Sequence, residues 1–247
     1  MLILKGRYNL KVLAVDTSST VAAVAIIEDE VLLGEYFVNN KKTHSQKLMP
    51  MIKELMDSLG LTPGEIDIYA ASVGPGSFTG LRIGVTSIKA IAYALDKPVI
   101  SVPTLDALAY NALGTKGIIC PIMDARNNQV YTSMYKFADQ EMTRECEYMA
   151  LHIDELIHII VNKGEKVCFV GDGVERHRRY LLDNIGDKCS FAPQNLILNR
   201  ASSVAQLALR AAKASRFESP LDMVPFYLRK SQAEQEYERK HGDKAYE

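Results

Sequence analysis

Neither sign of charge predominates in this chain: 29 Lys and Arg stand against 30 Asp and Glu, a formal net charge of −1. A protein that grips nucleic acid unaided usually carries a basic face, so any RNA contact is expected to fall mainly to a partner. Cysteine is scarce, and Cys120, Cys146, Cys168 and Cys189 form no C-x-x-C pair. That excludes zinc-ribbon and dithiol redox chemistry and leaves reduced, mostly buried thiols of a cytoplasmic protein as the expectation. No apolar run approaches the roughly 20 residues of a membrane helix. Lys5 and Arg7 interrupt Met1–Leu10, which is therefore not expected to be a signal peptide. His44, His152, His158, His177 and His241 offer no H-x-x-x-H or H-E-x-x-H spacing, so no helix-borne metal is expected. Also missing are a Walker loop and a dinucleotide fingerprint. The G-x-S-x-G nucleophile elbow fails at Thr79.

What is present suits two modest α/β domains: 247 residues, 47% of them apolar. Lys11–Val15, Val21–Ile27 and Val31–Val38 are β-rich runs separated by polar turns, which predicts an antiparallel meander. Thr43-x-x-Gln46 has capping-box form, and Leu48, Ile52, Leu55 and Leu59 fall on one stripe before Gly60. A helix is predicted there, bent or shortened by Pro50. Ile66–Val73 reads as a strand, Thr79–Leu95 as a helix, and Pro98–Val102 as a strand. The second half predicts strands at Gly117–Met123, Val130–Phe137 and Lys166–Val170, and helices at Leu151–Val161 and Ala201–Phe217, the last capped by Asn199 or Ser202. Val15-Asp16-Thr17 and Met123-Asp124-Ala125 each close a strand with Asp and a turn, which suggests an internal duplication. The tail from Arg229 is charged and is expected to be disordered unless a partner orders it.

Three constellations could carry function. Asp16, Thr17 and Ser18 suit either a phosphate loop with a metal-bound water or an Asx turn that closes a hairpin. Gly74, Gly76, Ser77 and Gly80 open a helix, which permits anion binding at its N-terminus or a tight strand-to-helix connection. The helix after them is apolar nearly all round and must be buried on more than one side. A subunit interface is the favoured reading, drawing on Met49, Met51 and Met56 of the preceding helix and on Leu81, Arg82, Val85, Ile88 and Lys89.

In combination, Lys11–Ser18, Thr43–Ile52, Ser72–Gly84 (with Gly-Pro-Gly-Ser-Phe-Thr-Gly-Leu-Arg), Met123–Arg126, Val130-Tyr131, Val170–Gly173 and Pro225–Arg229 resemble the TsaB (YeaZ) family. The resemblance implies an actin-like, Hsp70-like ATPase fold of the ribonuclease H-like kind, with mixed sheets. The domains would be residues 1–105 with the dimerisation helices, a reduced second domain at 106–228, and a polar tail at 229–247. It also implies a cytoplasmic, non-catalytic subunit of the machinery that transfers threonylcarbamoyl to N6 of adenosine 37 in tRNAs reading ANN codons. Such subunits pair through two first-domain helices with the catalytic subunit TsaD, or with themselves when alone, and a TsaE-like ATPase joins the pair. No cofactor is expected for this subunit; ATP and a metal would be used by its partners, and tRNA contacted mainly through the complex. The related TsaD family carries a His-x-x-x-His metal motif where this chain has Thr104 and Leu108, and Leu offers no donor atom. Ala125-Arg126 is likewise no glycine-rich phosphate loop. Gly171-Asp172-Gly173 reads as a structural turn or a nucleotide contact. A stand-alone ATPase or phosphotransferase using Asp16 is the alternative, and a metallopeptidase is disfavoured.

Overall fold

The computed structural model describes residues 9–40, 43–139 and 141–230. The predicted meander forms as β1 (Lys11–Asp16), β2 (Val21–Glu28) and β3 (Val31–Asn39). It is followed by α1 (His44–Leu59), β4 (Ile68–Gly74), α2 (Phe78–Ala94), β5 (Val99–Pro103) and α3 (Thr104–Tyr110). The sheet runs β3-β2-β1-β4-β5, antiparallel through the meander and parallel from β1 to β5. Gly60 closes α1 in the left-handed region at φ 66°, where a residue without Cβ meets no steric cost.

The second lobe repeats the plan. It comprises β6 (Ile118–Asp124), β7 (Gln129–Thr132), β8 (Tyr135–Ala138), β9 (Glu141–Arg144), β10 (Met149–His152), α4 (Ile153–Lys163), β11 (Val167–Val170), α5 (Gly173–Ile185), β12 (Cys189–Phe191) and α6 (Ala201–Lys213). Its main path is β10-β7-β6-β11-β12, with β8 and β9 branching from β6. β6 is antiparallel to β7 and parallel to β11, as β1 is to β2 and β4. Asp16 and Asp124 end equivalent central strands, and the duplication suggested by the two Asp turns is present in the topology.

Several expectations need correction. Thr43 makes no side-chain cap on α1; its carbonyl accepts from Gln46 N instead. The helix runs on through Pro50, which faces solvent together with Gln46. Val130–Phe137 is two strands, both against β6, because the chain exchanges β10 for β9 as its outer neighbour at the buried pair Ser133-Met134. Leu151 and His152 belong to β10, and α4 begins only at Ile153. α6 stops at Lys213, and neither Asn199 nor Ser202 caps it; Arg200 is the cap position, without a side-chain bond.

The division drawn between residues 105 and 106 is crossed in space by α6. β1 is buried on both faces, as alternation along a central strand requires. Leu13 and Val15 pack beneath α1 and α2, while Val12 and Ala14 meet Val204, Ala205, Ala208 and Leu209 of α6. Helix α6 therefore returns to cover the open face of the first sheet, and its alanines allow close approach. Full burial of Val204 and Leu209 is worth about 1.5–3 kcal/mol each. The second lobe's own core runs from Leu105 to Leu198.

Candidate functional site

The carboxylate of Asp16 is completely buried. Oδ1 accepts from Ser18 N (2.9 Å) and Ser18 Oγ (2.6 Å), and Oδ2 accepts from Ser72 Oγ (2.6 Å) and Asn199 Nδ2 (3.3 Å). Burial raises its pKa, and these four neutral donors only partly oppose that. The hairpin turn and the glycine loop are pressed together. Ser77 N donates to Ser18 O (2.7 Å), Thr17 Oγ1 to Gly80 O (2.7 Å), and Gly80 N to Ser77 Oγ (3.3 Å). A Cβ at Gly76 would strike Ser18 O, and one at Gly80 would strike Thr17 O. Asp16, Thr17, Ser18, Gly76, Ser77 and Gly80 do come together, but in contact with one another. Gly74 is turned away: its N–H donates to Thr104 Oγ1 (3.1 Å), and a Cβ there would strike Phe226 O. The N–H groups of Ser18, Ser77 and Gly80, which a phosphate would need, are engaged internally.

The facing wall is the turn after β6. Asp124 accepts from Arg126 N (2.9 Å) and Arg176 Nη1 (3.3 Å), while Arg176 Nη2 also reaches Asn128 Oδ1 (3.0 Å). Asp172 accepts from Asp124 N (3.1 Å), and burial pushes its pKa up to about 6. A Cβ at Gly171 would strike Ile122 O, so the Gly171-Asp172-Gly173 turn lets β11 pass close to β6 on its way into α5. Between the walls lies a cleft of about 820 Å³, lined among others by His44, Phe78, Asp124, Arg126, Tyr131 and Arg229. His44 Nε2 lies 2.9 Å from Ser19 O; a carbonyl only accepts, so this nitrogen carries the proton. Arg229, expected in a disordered tail, donates to Ala125 O (3.1 Å). Residues 231–247 lie outside the described residues.

The α1–α2 face differs from the expectation in detail. Leu81, Val85 and Ile88 are buried against the chain's own sheet, and Met51 and Met56 are buried with them. Leu81, Val85, Ile88 and Met51 face the core, while Met56 also lines the groove between the two helices. Arg82 and Lys89 are held by residues 221–227 of the same chain. Of the proposed apolar interface residues, only Met49 stays broadly open, at 47% exposure, while Arg82 is exposed but bonded to Tyr227. The outward side of α2 instead presents Ile83, Ala90, Ile91 and Tyr93. A mainly apolar groove of about 280 Å³ between the helices is lined by Met49, Ile52, Met56, Leu61, Tyr69 and Ile91. Periodicity could not choose between these faces, because α2 is apolar on both.

Thr104 and Leu108 lie fully buried in α3, with Leu108 packed into the second lobe's core. Asp106 between them accepts from the hydroxyls of Tyr135 (2.6 Å) and Tyr148 (2.8 Å). Among the described residues, no group of three or more His, Cys, Asp or Glu is arranged to hold a metal ion. Burial pushes the Cys120 thiol up to about 12 and also raises Cys168, which makes both poor nucleophiles at neutral pH. No described helix is long and apolar enough to cross a membrane.

Two lobes built on one repeated strand order, each with an Asp ending its central strand and with a cleft between them, define a protein of the actin-like ATPase fold. Residues 32–237 match the family described as TsaD, tRNA N6-adenosine threonylcarbamoyltransferase. The tRNA threonylcarbamoyladenosine biosynthesis protein TsaB of Bacillus subtilis is 31% identical over 225 residues, covering 91% of this chain and 96% of that protein. TsaB of Haemophilus influenzae is 37% identical over 130 residues, covering 51% of this chain and 53% of that protein. The solved structure of YeaZ from Pseudomonas aeruginosa superposes with a TM-score of 0.70 at 25% identity, covering 89% of this chain and 100% of that one. The chain belongs to the TsaB family of tRNA threonylcarbamoyladenosine biosynthesis proteins.

Proposed function

We propose that this chain is the non-catalytic subunit of a tRNA threonylcarbamoyltransferase complex. It pairs with a TsaD-like catalytic subunit through the α1–α2 face and activates that subunit's transfer of threonylcarbamoyl to N6 of the tRNA adenosine. The observation that carries this reading is the saturated, fully buried Asp16. A carboxylate already holding four donors has no exposed oxygen to offer a metal-bound water, and the N–H groups of Ser18, Ser77 and Gly80 beside it are bonded within the protein. Buried Thr104 and Leu108 supply no imidazole. In contrast, the α1–α2 groove presents apolar surface of the kind found at the core of subunit interfaces.

On this reading the subunit needs no cofactor of its own. ATP and a metal serve its partners, a TsaE-like ATPase joins the pair, and tRNA is held mainly by the complex. The chain forms a homodimer when alone, and it works in the cytoplasm. The test is reconstitution. The chain alone should show no transfer from threonylcarbamoyl-adenylate to tRNA, and mixing it with the TsaD-like protein of the same organism should yield a stable pair with transfer activity. Turnover by the isolated chain, or tight magnesium-ATP binding by calorimetry, would instead favour a stand-alone enzyme.

A further inference from the structure

Residues 218–229 follow α6 and run back over the first lobe as a strap. Glu218 bridges Val99 of β5 through paired backbone bonds (3.1 and 2.9 Å). Met223 is fully buried in the core that α2 covers. The carbonyls of Leu221 and Met223 both accept from Lys89 Nζ, at 3.1 and 2.8 Å. Phe226 N donates to Val73 O (2.7 Å). The ring of Tyr227 stacks on Phe78 at 3.9 Å and 13°, and its hydroxyl accepts from Arg82 Nε (3.2 Å). The strap then crosses to the second lobe. The Phe226 ring meets that of Tyr148 (5.7 Å), and Arg229 Nη1 donates to Ala125 O (3.1 Å) in the turn on the far wall of the cleft.

Lys89 and Arg82, the two charged side chains of α2, thus fasten one segment whose other end grips the opposite lobe. We propose that the strap is a conformational linkage: the position of α2 sets the position of residues 218–227, and these set where the 125–129 turn stands across the cleft. Lys89 and Arg82 act as positioning residues. Charge-assisted bonds and a stacked ring pair define the strap's path more tightly than an extended segment without regular structure could by itself. A protein seated on the outer side of α2 would thereby bias the opening of the cleft without touching the second lobe.

The test is hydrogen exchange on the full chain without any partner, so its outcome is separate from that of the subunit reading. Ala125 N, Arg126 N and Gln129 N are hydrogen-bonded within the turn and report on it. Lys89→Met should speed exchange about fivefold or more both at residues 219–227 and at 125–129, with Lys89→Arg restoring wild-type protection. Arg82→Met, at an exposed position, should do the same and serves if Lys89→Met fails to fold. Arg229→Gln should loosen 125–129 while leaving 219–224 protected. Faster exchange confined to 219–227 in both α2 variants, with the turn unchanged, would overturn the linkage.

Discussion

At Asp16, desolvation disfavours the charge while four donors favour it, and each donor depends on the carboxylate in return. Asp16→Ala would leave the Ser18 N–H, the Ser18 hydroxyl and the Ser72 hydroxyl without this acceptor. Each such loss costs about 1–3 kcal/mol, so a drop of about 3 kcal/mol or more in unfolding free energy is expected by chemical denaturation. A nucleotide-binding role would instead show as lost ATP affinity at unchanged stability. Asp172 makes a separate prediction. Its folded pKa, about 6, lies above the usual carboxylate value of 3.8. The folded state therefore holds the proton more tightly, and this group's contribution to stability is complete below pH 3.8 and fades as pH rises through about 6. Asp172→Asn removes that titration. Relative to the native chain it should gain on the order of 2 kcal/mol between pH 4 and pH 7, read as diverging melting temperatures. A constant difference across that range would contradict the assignment.

Within α2 the two sides have opposite fates, and substitutions should separate them. Ile88 is fully buried, so Ile88→Asp places a charge in the core and should unfold the chain. Ile91 is half-buried on the groove, so Ile91→Asp should keep a near-native melt yet weaken subunit pairing by more than about tenfold, measured by sedimentation. Several elements were legible in the sequence: the meander from its turn residues, α1 from its stripe and Gly60, and the two Asp turns from their position after apolar runs. The working face of α2 was not, since apolar side chains circle the helix and only the sheet beneath decides which are core. Helix α5 was missed because Val174, His177 and Leu181 are its buried contacts along a stretch otherwise rich in charge. β9 and β12 are too short to show a period. The roles of Asn199 and Tyr227 depend on partners 183 and 145 residues away, and local pattern carries no signal for such contacts.

For the whole molecule, the return of α6 and the strap makes the first lobe discontinuous in sequence. A chain ending at residue 200 would lose Val204, Ala205, Ala208, Leu209 and Met223 from the first lobe's two cores. It should be insoluble or lack a cooperative melt by circular dichroism, even though every strand of the first sheet is still present. This return was not legible in the sequence, because hydrophobic periodicity identifies α6 but not the sheet it will cover.

A ribosome makes the five strands of the first sheet long before the helix that roofs them. The underside formed by Val12, Ala14, Ile27, Ile68 and Ile100 stays uncovered while the second lobe is translated, although that lobe has its core complete by Leu198. The order of maturation is thus inverted relative to the order of synthesis: the later lobe can settle first, and the earlier one waits for the final stretch to emerge. Until then the nascent chain displays a greasy sheet to water, a natural target for holdase chaperones.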